Sequence, residues 1–298
     1  MNGSPVPVAS QQTSTETRER EIALVRSLAG LRDDDFVEVE DEGWDSRVYV
    51  VNRGEVVFKF PRTAEAQAAY ADEIAILRVM SGGDGRVVVP TLEWVGPEQS
   101  YLGYRGIVGR QLGRIGGPLA DGELRRIGRD LGAFLVTLHA TDLTGFDVDS
   151  VDDEISQFAR KFDASRDAIE PEFSRAEWNR LVEFFSTRLP ETMRALGSEP
   201  RVCHADLGRY NLILGQDGRL GVIDFGDVGV FDASKDFMGL DGAMLDAALA
   251  EYDGSDALPA KVEIRRLALP ILDLPFYLGK GDVVGVAECI ERLRRSFR

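Results

Sequence analysis

From Phe36 to Phe60 the chain reads FVEVEDEGWDSRVYVVNRGEVVFKF, and this stretch constrains the fold more than any other. Short apolar runs alternate with polar residues and break at Glu42-Gly43 and at Asn52-Arg53-Gly54, which predicts three antiparallel strands. The segment TAEAQAAYADEIAILRVM is alanine-rich and free of Gly and Pro, so one helix is expected after the strand that ends at Pro61. VVVPTLEWVG and YLGYRGIV read as two more strands. Ahead of them, Ile22, Val25 and Leu28 share one face of a leading helix that stops at Gly30. After Gly109 the texture turns helical, through DGELRRIGRDLGAFLVTLHA and residues 151–197, with turn signals and Pro171 and Pro190 as interruptions. An island of short strands, RVCHADL and NLILGQDGRLGVIDF, lies inside that region before helices resume at Ser234. The order predicts a small β-rich lobe carrying one helix, then a larger helical lobe, with the boundary near Val108 to Arg114.

Charge narrows the partners. The sequence holds 51 Asp and Glu against 35 Lys and Arg, a formal net charge of −16. Such a balance repels nucleic acid and anionic membrane surfaces and attracts small cations, although solubility alone also accounts for it. Cys203 and Cys289 are the only cysteines and lie in no C-x-x-C pattern, so a reducing cytoplasm is expected. The first residues carry no signal-peptide pattern, and no apolar run approaches the ~18 residues of a membrane span. Residues 1–16, rich in Ser, Thr, Gln and Pro, are expected to form a disordered tail.

The chemistry concentrates in VCHADLGRYN. Asp206 follows His204 by two positions, Asn211 follows Asp206 by five, and Asp224 follows Asp206 by eighteen, within VIDFGD. Two oxygen-bearing side chains on loops joined by a hairpin can share Mg²⁺, which prefers carboxylate, amide and phosphate oxygens. A carboxylate on the same loop can orient an acceptor hydroxyl toward a γ-phosphate.

HADLGRYN followed by DFG resembles the H-x-D-x-x-x-x-N and D-F-G motifs of the protein-kinase superfamily. The wider pattern, with VIDFGD, the acidic segment DASKDF and no A-P-E segment, is similar to the aminoglycoside phosphotransferase family and its small-molecule kinase relatives. That resemblance spans roughly residues 36–280. It implies an α+β, bilobal protein-kinase-like fold with a small antiparallel β-rich N-terminal lobe and a larger mainly helical C-terminal lobe. The expected division is a nucleotide-binding lobe with its hinge at 17–108, and a helical lobe at 109–298 carrying the catalytic loop, metal site and acceptor site.

The resemblance also implies roles. Asp206 would be the catalytic base, Asn211 and Asp224 the Mg²⁺ ligands, and Lys59 the lysine on the α and β phosphates of ATP or GTP. Alternation puts Phe58 and Phe60 on the face opposite Lys59, so a ligand cleft or water is expected on the lysine's side; the bland alternative is a solvent-facing charge. Glu65, Asp72 and Glu73 compete to partner Lys59, and Glu73 is favoured because it shares a face with Tyr70, Leu77 and Met80. No G-x-G-x-x-G is present. Gly43 stands alone at the expected turn, and Ser46 with nearby backbone N–H groups is the candidate phosphate cradle. In YRGIVGRQL, backbone groups between Arg105 and Val108, including Ile107, would pair with the purine edge. His204 reads as a packed support of the loop, and His139 as a helix C-terminal residue favoured by the dipole. Asp232 and Asp236 read as capping or bracing groups, Asp227 as an aid to substrate or metal, and Arg209 as either a charge neutraliser or a solvent-facing residue.

The expected function is that of a cytoplasmic, monomeric phosphotransferase. It would move the γ-phosphoryl of a nucleoside triphosphate to a hydroxyl of a small molecule, an aminoglycoside antibiotic being the first choice. Asp241, then Asp246 and Glu251, are the candidate carboxylates for a cationic acceptor, with a solvated acidic face as the alternative. Rival acceptors are a macrolide, a basic peptide antibiotic, an amino alcohol or a sugar. A nucleotide-binding pseudokinase is the rival of another class, and the intact set Lys59, Asp206, Asn211 and Asp224 argues against it.

Overall fold

The structure, a computed structural model, describes residues 15–40, 45–81, 85–146 and 148–297. Gly43 and residues 1–14 of the expected tail lie outside them, and Thr15 and Glu16 already belong to the first helix. The strands in chain order are β1 (Val37–Glu40), β2 (Ser46–Val51), β3 (Val56–Pro61), β4 (Val87–Val88), β5 (Thr91–Val95), β6 (Leu102–Arg105), β7 (Gly109–Gln111), β8 (Pro200–Cys203), β9 (Leu212–Gly215), β10 (Leu220–Val222) and β11 (Gly229–Asp232). The α-helices are α1 (Thr15–Ala29), α2 (Ala64–Met80), α3 (Asp121–His139), α4 (Val151–Ile169), α5 (Arg175–Glu183), α6 (Leu189–Leu196), α7 (Gly242–Tyr252), α8 (Leu258–Ala268), α9 (Pro270–Lys280) and α10 (Val283–Ser296). They group into two compact units: the chain up to Ile115 together with Tyr210–Asp227, and Gly116–Arg209 together with Val228–Arg298. Among the described residues no helix is long and apolar enough to cross a membrane.

In the first unit a five-stranded antiparallel sheet runs in the order β1-β2-β3-β6-β5. One face carries Tyr49, Val51, Phe58 and Phe60, which bury with Val25 of α1. Phe58 lies against Trp94 at 5.1 Å between ring centroids, and Tyr49 meets Phe60 edge-on at 5.4 Å. The α1 helix is fastened there by Glu21, whose carboxylate accepts from the Arg47 guanidinium and from the Tyr49 hydroxyl at 2.6 Å. Opening α2, Thr63 supplies an N-cap: its hydroxyl oxygen accepts the Ala66 N–H at 3.2 Å. VVVPTLEWVG does not form one strand. Pro90 offers no N–H to a ladder, and the run splits: β4 pairs in parallel with β10 in a second sheet, order β4-β10-β9-β7, while β5 joins the first.

The second unit is helical around a cluster that includes Phe158, Phe162, Phe184, Phe185, Ile271 and Leu293. Helices α3 and α7 approach closely because Gly128 and Gly132 carry no side chain; a Cβ at Gly128 would come within 2.2 Å of the Met244 carbonyl. The strands β8 and β11 pair antiparallel, with Val202 opposite Val230. Asp232 at the end of β11 caps the short 3₁₀ turn Ala233–Phe237 by accepting the Ser234 N–H at 3.1 Å. Its other oxygen accepts from Lys261 at 3.1 Å, and Arg265 beside it is clamped by Glu154 at 2.9 and 2.7 Å. These charges are nearly inaccessible, so their pairing is what makes their burial tolerable.

Candidate active site

In the first unit, strand β3 sets Lys59 on the face away from Phe58 and Phe60, and that face is covered. Lys59 is 9% exposed, and its Nζ donates to Glu73 Oε1 at 2.9 Å and to Asp224 Oδ1 at 2.6 Å. On the lysine's side, α2 brings a carboxylate. Glu73 is the acid of that helix that meets the lysine, because it shares the buried stripe with Tyr70, Leu77 and Met80. Burial alone would lower the ammonium's pKa, but the carboxylates of Asp224 and Glu73 outweigh it and hold Lys59 well above its ordinary value.

Tyr104 on β6 completes the cluster, and the sequence reading passed over it. Its hydroxyl donates to the same Glu73 Oε1 at 2.8 Å, while Glu73 Oε2 is buried with no hydrogen-bond partner among the described residues. The phenol is buried, and its pKa is pushed well up by that burial and by the Glu73 charge. Only the alternation of β6 could have pointed Tyr104 inward. Removing its hydroxyl strips a charge-assisted hydrogen bond from a buried carboxylate, so Tyr104→Phe is expected to lose about 1.5–3 kcal/mol of stability. Urea unfolding measures this, and an unchanged midpoint would show that the phenol does not hold the carboxylate.

Asn211 and Asp224 flank the β9–β10 hairpin, where Leu212 pairs with Val222 and the Ile223 N–H donates to the Asn211 carbonyl at 3.0 Å. The two oxygen donors therefore issue from the same end of one hairpin. Asp224 sits in the left-handed region at φ 66°, with its side chain about half exposed. Such a conformation costs a non-glycine residue about 1–2 kcal/mol. Gly226 backs the cluster: a Cβ there would stand 3.5 Å from Asp224 Oδ1 and 3.9 Å from both Glu73 Oε2 and Lys59 Nζ. An amide oxygen beside a carboxylate is a donor set that suits Mg²⁺.

The remaining first-unit candidates are placed as follows. The Ser46 hydroxyl is 2.7 Å from that of Tyr70. Arg105 pairs with Glu93 through both ends of its guanidinium and lies over Trp94, while its backbone sits in the ladder opposite Val56 and Thr91. Beyond it, the Gly106 N–H donates to the Glu55 carbonyl at 3.0 Å and the Val108 carbonyl accepts from Gln216 at 3.3 Å. Between them, the Ile107 side chain packs over Gly221. Asp227 is exposed.

In the second unit, Asp206 stands exposed on the loop that leaves β8, and a buried carboxylate shapes that loop. Asp236 accepts the His204 N–H at 3.0 Å and the Ala205 N–H at 2.7 Å, and Ala205 is itself left-handed at φ 67°. The Asp206 N–H donates to His204 Nδ1 at 3.3 Å, so His204 is the packed support the sequence implied. His139 ends α3 as expected, and its ring is in addition buried between Asp236, 2.9 Å from Nε2, and the Tyr252 hydroxyl, 2.8 Å from Nδ1. Burial would raise the Asp236 pKa, but the His139 hydrogen bond and the backbone N–H groups overcome it and leave the group lowered, hence ionised. His139, Cys203 and Asp236 form a group with metal-ligand atoms within 4.8 Å of one another, yet the hydrogen bonds just described already engage the imidazole and the carboxylate.

The acceptor candidates are not gathered. Asp241, just before α7, receives the Arg209 guanidinium at 2.9 Å, so Arg209 neutralises this acid. Asp246 is exposed on α7, and Glu251 lies with its Cβ against Gly132 of α3. Five residues apart on a helix, these two point about 140° away from each other.

A profile described as the phosphotransferase enzyme family matches residues 37–260. Among solved structures, the GDP and kanamycin complex of APH(2")-IIia superposes with a TM-score of 0.74 at 21% identity, over 93% of this chain and 98% of that one. The streptomycin-ATP-APH(2")-IIa ternary complex gives 0.63 at 18% identity, over 95% and 99%. Macrolide 2'-phosphotransferase MphH from Brachybacterium faecium gives 0.64 at 18% identity, over 92% and 97%. At these identities the likeness establishes the kinase-like fold.

Proposed function

The chain belongs to the phosphotransferase enzyme family, and from that premise we propose that it moves the γ-phosphoryl of ATP or GTP to a hydroxyl of a small molecule, an aminoglycoside in the first place. The observation that carries this reading is the Glu73–Lys59–Asp224 cluster, in which two carboxylates fix one ammonium. A buried, braced lysine suits the α and β phosphates, and phosphoryl transfer depends mainly on positioning and charge neutralisation. Of residues 105–108, the backbone of Ile107 serves the purine edge, since that of Arg105 is taken up in the ladder opposite Val56 and Thr91. Ser46 and its neighbours serve the phosphates.

Asn211 and Asp224 would hold Mg²⁺, which when bound supplies positive charge against the phosphate oxygens. Asp206 orients the acceptor hydroxyl and takes its proton as the acceptor oxygen bonds to the γ-phosphorus. The bond from that phosphorus to the β,γ-bridging oxygen breaks, and the nucleoside diphosphate leaves with the electron pair. The Asp236 carboxylate sets the conformation of the loop from which Asp206 extends.

A second acceptor class, the macrolides, is favoured by one observation: Arg209 already neutralises Asp241, which reduces the net negative charge offered to a polycation. The pair is exposed, and such pairs contribute ~0–1 kcal/mol, so a multivalent cation can displace the guanidinium at small cost. Nucleotide consumption across kanamycin, gentamicin, streptomycin, erythromycin and choline decides between them. Under the aminoglycoside reading, Asp241→Asn raises acceptor KM about 3–10-fold with nucleotide KM unchanged, and added salt weakens acceptor binding more in the parent than in the variant. Erythromycin or choline emerging as the best acceptor, with the three aminoglycosides idle, would overturn it.

A further inference from the structure

We propose that Tyr210 is a specificity-determining residue: an aromatic platform on which an amino-sugar ring of the acceptor packs. The inference rests on the phosphotransferase reading above and names the chemistry by which the acceptor is held. Tyr210 is 64% exposed, yet it is not a loosely tethered surface side chain. Its ring lies against Gly113: a Cβ at that glycine would come within 2.7 Å of Cδ1 and Cε1 and 2.9 Å of Cγ. Its carbonyl accepts from Gln111 Nε2 at 3.0 Å. The segment Gln111–Gly113 thus fixes both the main chain and the ring of Tyr210. Part of the ring is spent on Gly113 and the rest is left to solvent.

A pre-oriented aromatic binds with less loss of rotamer freedom than a mobile one. Tyr210 also occupies a telling position in the chain, immediately before the metal-ligand candidate Asn211 and immediately after Arg209. Arg209 competes with the acceptor for the Asp241 carboxylate, so a second contact that needs no carboxylate adds to recognition. The face of an aromatic ring carries negative potential, which attracts a protonated amine and accommodates the C–H face of a saturated ring. A protonated amino sugar offers both. Aminoglycosides and macrolides share that element, so the platform fits either class.

The test measures steady-state kinetics of the full chain and three variants with the best acceptor of the panel. Tyr210→Ala is expected to raise acceptor KM about 10-fold while nucleotide KM stays within about twofold, because the lost contact belongs to the acceptor alone. Tyr210→Phe, which keeps the ring, retains parent-like acceptor KM. Gly113→Ala leaves Tyr210 in place but forces its ring aside, and is expected to raise acceptor KM several-fold at an unchanged melting temperature. A rise in nucleotide KM in place of acceptor KM shows that the ring serves the nucleotide and overturns the proposal. Unchanged kinetics in Tyr210→Ala overturn it as well. A parent inactive on the whole panel defeats the functional reading itself, and with it the platform; an active parent with an indifferent Tyr210 defeats the platform alone.

Discussion

Turnover is expected to fall by about 10²–10⁴-fold when Asp206 is replaced by asparagine, while nucleotide affinity and melting temperature stay near those of the parent. An amide can accept the acceptor's hydrogen bond but cannot take its proton, so the variant keeps orientation and loses the base. Asparagine matches aspartate in size and shape, so the loop is expected to hold. The loop is shaped by Asp236 accepting the N–H groups of His204 and Ala205 and by His204 accepting the Asp206 N–H, none of which needs the Asp206 carboxylate. Single-turnover rates with the best acceptor, read beside thermal melts, test the role. Near-parent turnover in a well-folded variant would assign the proton elsewhere.

Asp224→Ala is expected to weaken Mg²⁺-dependent nucleotide affinity by about 100-fold or more, since only the Asn211 amide would remain beside water and phosphate as ligands. The substitution also takes one of the two carboxylates from Lys59, which keeps Glu73. Because position 224 is left-handed, Asp224→Asn is the companion variant: asparagine tolerates that backbone and removes only the charge. Calorimetric titration of nucleotide with and without Mg²⁺ separates the effects. Both variants should lose the metal-dependent part of the affinity, and retention of the parent's metal dependence would move the ligands to other residues.

Much of this was legible locally. Period-two alternation and the Asn52-Arg53-Gly54 break are enough for β2, β3 and their hairpin, since strand faces and turn conformations depend on near neighbours. The 3.6-residue repeat of α2 puts Glu73 in the buried stripe with Tyr70, Leu77 and Met80, which favoured it over Glu65 and Asp72, while the family resemblance named Lys59 as its partner. The short separation of Asn211 and Asp224 around one hairpin likewise placed them at one end of it.

Tertiary structure decided what no local pattern encodes. The sheet order β1-β2-β3-β6-β5 brings Tyr104 to Glu73 across 31 residues of chain, and Asp236 reaches the His204 loop across 32. Pro90 divides a run that reads as one strand between two sheets, and a missing N–H predicts the break but not the partners. The acids at 241, 246 and 251 read alike in charge; folding pairs the first with Arg209, while helical spacing alone already turns the other two apart. Periodicity says which face of an element is buried. The residues that meet on that face are chosen by the packing of elements distant in the chain, and that choice is what makes a lysine, two carboxylates and a phenol into one cluster.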